Sequence, residues 1–252
     1  MKQGFLIPVY KHGKTACSLA ERLAPMGLPV ILVDDGNDTE TQGILAECAA
    51  KTPGAALVRL EKNSGKGKAV IKGFEKAAEL GLTHVLQIDA DGQHDAGRAA
   101  FFLEESSRHP DMIICGYPEF DETAPVSRVR GRMISTFWAA VVTLSTELKD
   151  VLCGFRVYPI EASLRAAGNP FLDKRMGFDA EILVRLYWNK VYPLFYPIKV
   201  RYPEDGISNF RAVRDNIRIS WMFSRLCVGM LFRLPFLIKE KIKIKKEKRK
   251  ER

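Results

Sequence analysis

The chain is poor in the residues that build metal clusters and covalent staples. Its five cysteines, Cys17, Cys48, Cys115, Cys153 and Cys227, are odd in number and scattered, with no Cys-x-x-Cys and no histidine at ligand spacing. That excludes a zinc cluster and a disulfide framework, and fits reduced thiols in the core of a cytoplasmic protein. Of the four histidines, His12, His84 and His109 read as structural or exposed, and His94, beside an acidic cluster, as a structural group that could join a site. A clean membrane span is also missing. Residues 219–238 are mainly apolar, but Arg225, Arg233 and Pro235 interrupt them, which disfavours a transmembrane helix. The N-terminus opens almost directly on a strand, without the basic, apolar and cleavage regions of a leader, so no signal peptide and a cytoplasmic orientation are expected.

What is present is an ordinary globular composition with an uneven charge. A chain of 252 residues, 46% hydrophobic, can hold one large α/β domain or two small ones. The net charge of +9 is concentrated: residues 239–252 contain nine Lys or Arg and three Glu, leaving 30 basic against 27 acidic residues elsewhere. Three regions follow, a domain over residues 1–210, an amphipathic helical region over 211–238 and a polybasic tail over 239–252.

Strands are predicted at residues 4–10, 29–33, 55–60 and 83–89, alternating with helices whose apolar residues recur at helical spacing, as Ala16, Leu19, Ala20 and Leu23 do. Such alternation predicts right-handed crossovers and a mostly parallel sheet with helices on both faces. Ligands of these sheets bind beyond the carboxyl ends of the strands, and the polar clusters at residues 8–12, 34–38, 62–68 and 89–95 all fall there. The fourth cluster organises the chain. Asp89 and Asp91, two apart in an extended segment, can face one hard cation such as Mg²⁺ or Mn²⁺, and Gly92 lets the chain turn. The bland alternative is a solvated Asp-Gly turn.

Beyond residues 113–115 the alternation stops. A polar loop is predicted over residues 117–127, then a helix over 129–145, an extended segment over 150–158 and a helix carrying Ile182, Leu183, Leu186 and Tyr187. After Asn209, Arg211, Arg214, Arg218 and Arg225 form one basic stripe on a helical wheel, with Trp221, Met222, Phe223, Leu226, Met230 and Leu231 around much of the rest. A helix of this kind beside a polybasic tail fits adsorption to an anionic membrane surface on its inner face. The alternative is docking on the protein's own core or on a twin subunit in a homodimer.

With these residues in hand, the chain resembles family 2 glycosyltransferases of the GT-A fold, in their dolichol-phosphate mannosyltransferase-like and polyprenyl-phosphate glycosyltransferase-like branch. Ile7-Pro8-Val9-Tyr10 looks like the opening strand, Val33-Asp34-Asp35-Gly36 like the nucleotide-base motif and Asn63-Ser64-Gly65-Lys66-Gly67 like the Asn-x-Gly-Lys-Gly loop. Asp89-Ala90-Asp91-Gly92-Gln93 looks like the metal motif, and Asp150 with Gly154-Phe155-Arg156 like the Asp-x-x-x-Gly-Phe-Arg segment; the match runs over roughly residues 3–210. The resemblance implies a metal-dependent hexosyltransferase. Its donor would be a UDP- or GDP-sugar, bound around Pro8, Tyr10, Asp34, Asp35, Lys66, Asp89 and Gln93, with Mg²⁺ or Mn²⁺ on Asp89 and Asp91, catalytic residues Asp91 and Asp179, and inversion at the sugar. Asp34 and Asp35 could instead cap the following helix, and Lys66 and Asp179 could be a loop lysine and a helix cap.

The implied acceptor is lipid-linked, with polyprenyl phosphate leading. An ionised phosphate needs no base, so Asp179 would act as one only on a lipid or glycan hydroxyl. The chain departs from the phosphate-acceptor pattern twice. Gly116-Tyr117-Pro118 stands where Gly-Ser-Arg is common, and Gly206-Ile207-Ser208-Asn209 where Gly-x-Ser-Lys is common. Arg128, Arg130 and Arg132 are candidates to replace the lost cations, with Arg156 and Ser208. A sugar nucleotidyltransferase would carry a Gly-rich, Arg-containing loop after its first strand, whereas residues 8–14 hold only Gly13. The remaining rival is a non-catalytic protein binding membrane or nucleic acid through its basic end; no nucleic-acid partner is expected.

Overall fold

The computed structural model describes residues 1–120, 126–200 and 212–250, and their side chains apart from those of residues 126–128, 212 and 244–250. In chain order the elements are β1 (Gln3–Val9), α1 (Gly13–Leu23), β2 (Val30–Asp34), α2 (Thr39–Lys51), β3 (Ala55–Arg59), α3 (Lys66–Glu79), β4 (His84–Gln87) and α4 (Ala99–Arg108), followed by β5 (Ile113–Phe120), α5 (Val126–Thr143), β6 (Arg156–Pro159), α6 (Ile160–Ala167), α7 (Phe178–Trp188), β7 (Pro193–Val200) and α8 (Ala212–Lys250).

One seven-stranded sheet runs in the order β3-β2-β1-β4-β6-β5-β7. The pairs β3–β2, β2–β1, β1–β4 and β5–β7 are parallel, while β6 lies antiparallel between β4 and β5. The expected mostly parallel sheet is present. Both faces are covered: Phe5, Ile7 and Val9 of β1 join the core beneath α1, α2 and α4, whereas Leu6 points into the core shared by α3, α5, α6, α7 and α8. That is the alternation of a strand buried on both sides. Helix α3 approaches β1 closely because position 73 has no side chain, and a Cβ on Gly73 would stand 2.1 Å from Leu6 Cδ1.

The first half follows the sequence pattern, with one difference that matters for the site. The fourth strand ends at Gln87 rather than at residue 89, so Asp89 and Asp91 sit in the turn beyond the sheet edge. The second half departs further. Residues 117–120, predicted as loop, continue β5 and pair with Pro197–Val200 of β7. Only Arg156–Pro159 of the predicted extended segment is strand, and β7 itself has no alternation of apolar and polar residues to announce it. Strand order reverses between β1 and β4, and the crevice at that switch point is where the acidic turns gather.

Helix α8 packs on α5 and α7, burying Met222, Phe223, Leu226 and Leu237. Its opposite side leaves Val213, Ile217, Trp221, Val228, Leu231, Phe232, Phe236, Ile238 and Ile242 exposed. By length and composition Val213–Lys243 could also cross a bilayer.

Candidate active site

The crevice is assembled from four turns, and the sequence folds each locally for its own reason. After β2, Gly36 takes a positive φ of 64° and lies so close to the turn of residues 62 and 63 that a Cβ would stand 2.1 Å from the Lys62 carbonyl carbon. Asp34 and Asp35 are buried here, and neither caps α2; that cap is Asp38, which accepts from Thr41 N at 2.8 Å. Asp34 accepts from Asn37 N, Asn37 Nδ2 and Arg59 Nε at 3.0, 2.7 and 3.0 Å. Asn37 then joins β2 to β1, its Nδ2 donating to Val9 O at 2.9 Å and its Oδ1 accepting from Lys11 N at 2.6 Å. This holds the Pro8–Tyr10 end of β1, with Pro8 buried and Tyr10 partly exposed.

Asp35 reaches across to the turn before α3. Its Oδ1 accepts from Ser64 N at 2.7 Å and its Oδ2 from Gly65 N at 3.0 Å. Burial raises its carboxyl above the usual carboxylate range, against the pull of these two amides and of Arg175. Asp35 therefore shapes the loop, and any further donor would use its remaining lone pairs.

Lys66, the first residue of α3, is the hub. Its Nζ donates to Asp89 Oδ2 at 2.7 Å and to Asp179 Oδ2 at 2.5 Å. Burial opposes its charge, but the two carboxylates outweigh that penalty and hold the ammonium above the usual lysine range. Both carboxylates are largely shielded from solvent, so this is a desolvated charge cluster rather than a surface pair. Gly154 makes room for it: the antiparallel register of β6 on β4 brings Gly154 against Asp89, and a Cβ there would lie 2.0 Å from Asp89 Oδ2.

Asp91 lies in the following turn, its Oδ1 accepting from Gln93 N at 3.0 Å. His94 packs on Phe155, and its buried Nδ1 has no hydrogen-bond partner among the described residues. Burial lowers its pKa, so the imidazole is held neutral, with Asp89 and Asp91 pulling the other way. Among the described residues no three His, Cys, Asp or Glu converge as a closed metal cage. Two carboxylates from one turn fit a hard cation whose remaining ligands are water and substrate phosphate.

Asp179 stands in the first turn of α7, buried, and its Oδ1 has no partner among the described residues. Arg156, a candidate for acceptor phosphate, is placed elsewhere. It is fully buried behind the crevice, where Nη1 donates to Asp179 O at 2.6 Å and to Tyr158 OH at 3.3 Å. A guanidinium with no solvent access orients α7 and does not line a ligand surface. Arg132 and Arg130 share α5, with Arg130 exposed and Arg132 Nη1 bridging Asp150 Oδ1 and Oδ2 at 2.9 and 2.8 Å. The Arg128 side chain and Ser208 lie outside the described residues.

Beside Asp150 opens a cavity of about 400 Å³ walled by Pro118, Phe120, Met133, Phe137 and Leu148, with Arg132 and Lys149 among its few charges. Lys149 Nζ stands 4.7 Å from the centre of the Tyr117 ring. Sequence spacing did not point to Lys149, which stands next to the Asp150 motif without belonging to it, nor to Asn37 and Arg175. Arg175 Nη1 donates to Asn63 Oδ1 at 3.3 Å.

Comparison with known proteins agrees with this fold. The model of glycosyl transferase family 2 matches residues 5–163. The chain is 29% identical over 164 residues to a dolichyl-phosphate β-glucosyltransferase of Dictyostelium discoideum, covering 61% of this chain and 49% of that one, so it spans about half the length of that relative. It is 23% identical over 241 residues to a UDP-N-acetylglucosamine–dolichyl-phosphate N-acetylglucosaminyltransferase of Methanococcus voltae, covering 89% and 95% of the two chains. The fold matches glucosyl-3-phosphoglycerate synthase of Mycobacterium tuberculosis, solved with Mn²⁺ and UDP-glucose, at a TM-score of 0.65 and 14% identity over 91% of this chain and 78% of that one.

Proposed function

Because the chain belongs to glycosyltransferase family 2, we propose that it moves one sugar from a UDP- or GDP-sugar to a membrane-borne polyprenyl phosphate, with inversion at the anomeric carbon. The observation that supports this reading is the Lys66–Asp89–Asp179 cluster at the N-terminal end of α3, beyond the carboxyl ends of the strands. An acceptor phosphate oxygen forms the new bond to the anomeric carbon as the bond to the donor's diphosphate breaks, and the nucleoside diphosphate takes that electron pair. Negative charge grows on the leaving group, and cationic groups aimed at it lower the barrier. Asp89 and Asp91 would hold Mg²⁺ or Mn²⁺, which would supply most of that positive charge. Lys66, anchored by its two carboxylates, contributes to the same field, as do the amides at the start of α3.

The lipid side is supported by different observations. The cavity beside Asp150 is apolar with Lys149 at its edge, so an ionised phosphate can meet a cation while the chain beyond it stays among Met133, Phe137 and Leu148. Lys149 thereby takes the part of the cations missing at residues 116–118. Several large apolar side chains on α5 and α8 face outward, Phe137 at 61% and Trp221 at 66% exposed, and Arg214 lies beside them. That surface suits the membrane interface. The relatives named for dolichyl phosphate support the same acceptor class.

A hydroxyl acceptor is the second reading, favoured by one observation: among the described residues the buried Asp179 Oδ1 has no partner, which leaves it free to take a proton. The deciding experiment measures nucleoside diphosphate release from UDP- and GDP-sugars with Mn²⁺, in vesicles with and without short polyprenyl phosphate. Release that requires the polyprenyl phosphate supports the proposal. Release that requires a different lipid and falls in Asp179→Asn moves the reaction to a hydroxyl, and no release with any donor removes the catalytic reading.

A further inference from the structure

A second network of charge lies behind the crevice, and the chemistry above does not use it. Glu181, on α7 two residues past Asp179, is fully buried yet has four donors. Its Oε1 accepts from Arg185 Nε and Nη2 at 2.9 and 2.5 Å, which already balances its charge within the helix. Its Oε2 accepts from Asp173 N at 2.8 Å and faces Arg225 Nη2 of α8 at 3.5 Å. Arg225 also donates through Nη1 to Phe171 O. One arginine of α8 thus grips both the carboxylate and the turn that precedes α7.

That turn is in direct contact with the loop before α3. Asp173 Oδ1 accepts from Arg175 N at 2.6 Å, Lys174 O accepts from Lys68 N at 3.1 Å, and Arg175 Nη1 donates to Asn63 Oδ1. The two segments are so close that a Cβ on Gly65 would stand 2.6 Å from Lys174 O. Trp221 and Val228, four positions before and three after Arg225, are exposed apolar residues on the same side of α8.

We propose that Glu181 and Arg225 are positioning residues through which the seating of α8 sets the shape of the loop at residues 62–68. A helix that docks on a bilayer through its outer face would then arrive with the loop already formed, and a helix that loosens would release it. The consequence for donor binding rests on the assignment of that loop to the donor; the mechanical link does not.

The test is amide hydrogen exchange on the full chain without ligand, comparing wild type, Arg225→Met, Arg225→Lys and Arg165→Met, a surface change on α6. In Arg225→Met the peptides covering residues 62–68 and 173–177 should exchange roughly fivefold faster, as expected for local opening, with β1 and β4 unchanged. Arg225→Lys should fall between that and wild type, and Arg165→Met should match wild type. Donor KM should rise about fivefold in Arg225→Met with kcat nearly constant, because ground-state organisation is lost and the reacting groups remain. Unchanged exchange at 62–68 in both Arg225 variants overturns the proposal. If Arg225→Met fails to fold, the lysine variant decides alone. Faster exchange in a protein that binds neither UDP nor GDP keeps the link and removes the proposed function instead.

Discussion

On the donor side, the acidic residues give most of their hydrogen-bonding capacity to the protein itself. Asp34 accepts from Asn37 and Arg59, Asp35 from two loop amides, and Lys66 donates to two carboxylates. On the proposed acceptor side, α5 and α8 leave large apolar side chains facing outward, and the nearby cavity has few charges along an apolar wall. The first arrangement is rigid before a ligand arrives and suits a polar molecule that must be held in one pose. The second gains little from directional contacts and suits an amphiphile whose tail is held by burial. The proposed polar donor and lipid acceptor would account for that asymmetry.

The comparison breaks most sharply at Asp91. Among the described residues its carboxylate is tied to Gln93 N alone, in its own turn, so Asp91→Ala should leave the fold intact, abolish calorimetric Mn²⁺ binding and lower sugar transfer by about 10³-fold or more. Retained transfer with Mn²⁺ present would remove the metal assignment. Next is Gly154→Ala. The added methyl must displace Asp89 from Lys66, and misplacement of that scale lowers kcat/KM for the donor by roughly 10²-fold; an unchanged value would mean that the cluster does not position the donor.

Changes on the lipid side should be smaller and of a different kind. Trp221→Ser together with Phe137→Ser removes apolar surface worth about 1.5–3 kcal/mol per buried side chain. Vesicle co-sedimentation should fall, and the KM for the lipid acceptor should rise about tenfold or more, while donor affinity measured by calorimetry stays the same. A fall in donor affinity would erase the division between the two sides. Lys149→Ala should raise the acceptor KM by several-fold, in line with one charge-assisted contact, and should do so more for a phosphate than for an uncharged lipid analogue.

The smallest expected effect concerns stability. His84 is packed with its Nε2 at 2.8 Å from Pro110 O, and burial lowers its pKa below the usual histidine value, with the Pro110 carbonyl pulling the other way. A histidine depressed in the folded state binds its proton first in the unfolded chain. Its contribution is complete above the unfolded pKa, about 6.5, and is lost as pH falls below it. The melting temperature of the wild type should therefore drop more steeply between pH 7.5 and 5.5 than that of His84→Gln; parallel slopes would show that His84 does not titrate with unfolding.

Much of the donor side was legible because its logic is local. At each turn the end of the strand period, the change from apolar to polar residues and the glycine, at 36, 65 or 92, lie within a few residues of one another, and backbone geometry makes of that spacing a turn at one sheet edge. Even there, the partners were not. That Asp38 caps α2 is decided by which carboxylate reaches the Thr41 amide, and that Lys66 bridges Asp89 and Asp179 depends on residues 23 and 113 positions away in sequence. Arg156 shows the limit most clearly. Its motif suggests a ligand-facing cation, but strand pairing turns it inward, and only the antiparallel insertion of β6 reveals that.

By itself, then, the sequence determined the α/β architecture, the edge at which ligands gather and the acidic turn suited to a metal, because each is specified by periodicity and short-range stereochemistry. Tertiary structure alone decided which of those polar groups face a ligand and which face one another. It also decided that β7 joins the sheet, that Lys149 stands over Tyr117, and that Arg225 of α8 reaches Glu181. Those outcomes depend on the packing of segments far apart in the chain, where burial and charge pairing, rather than local spacing, select the partner.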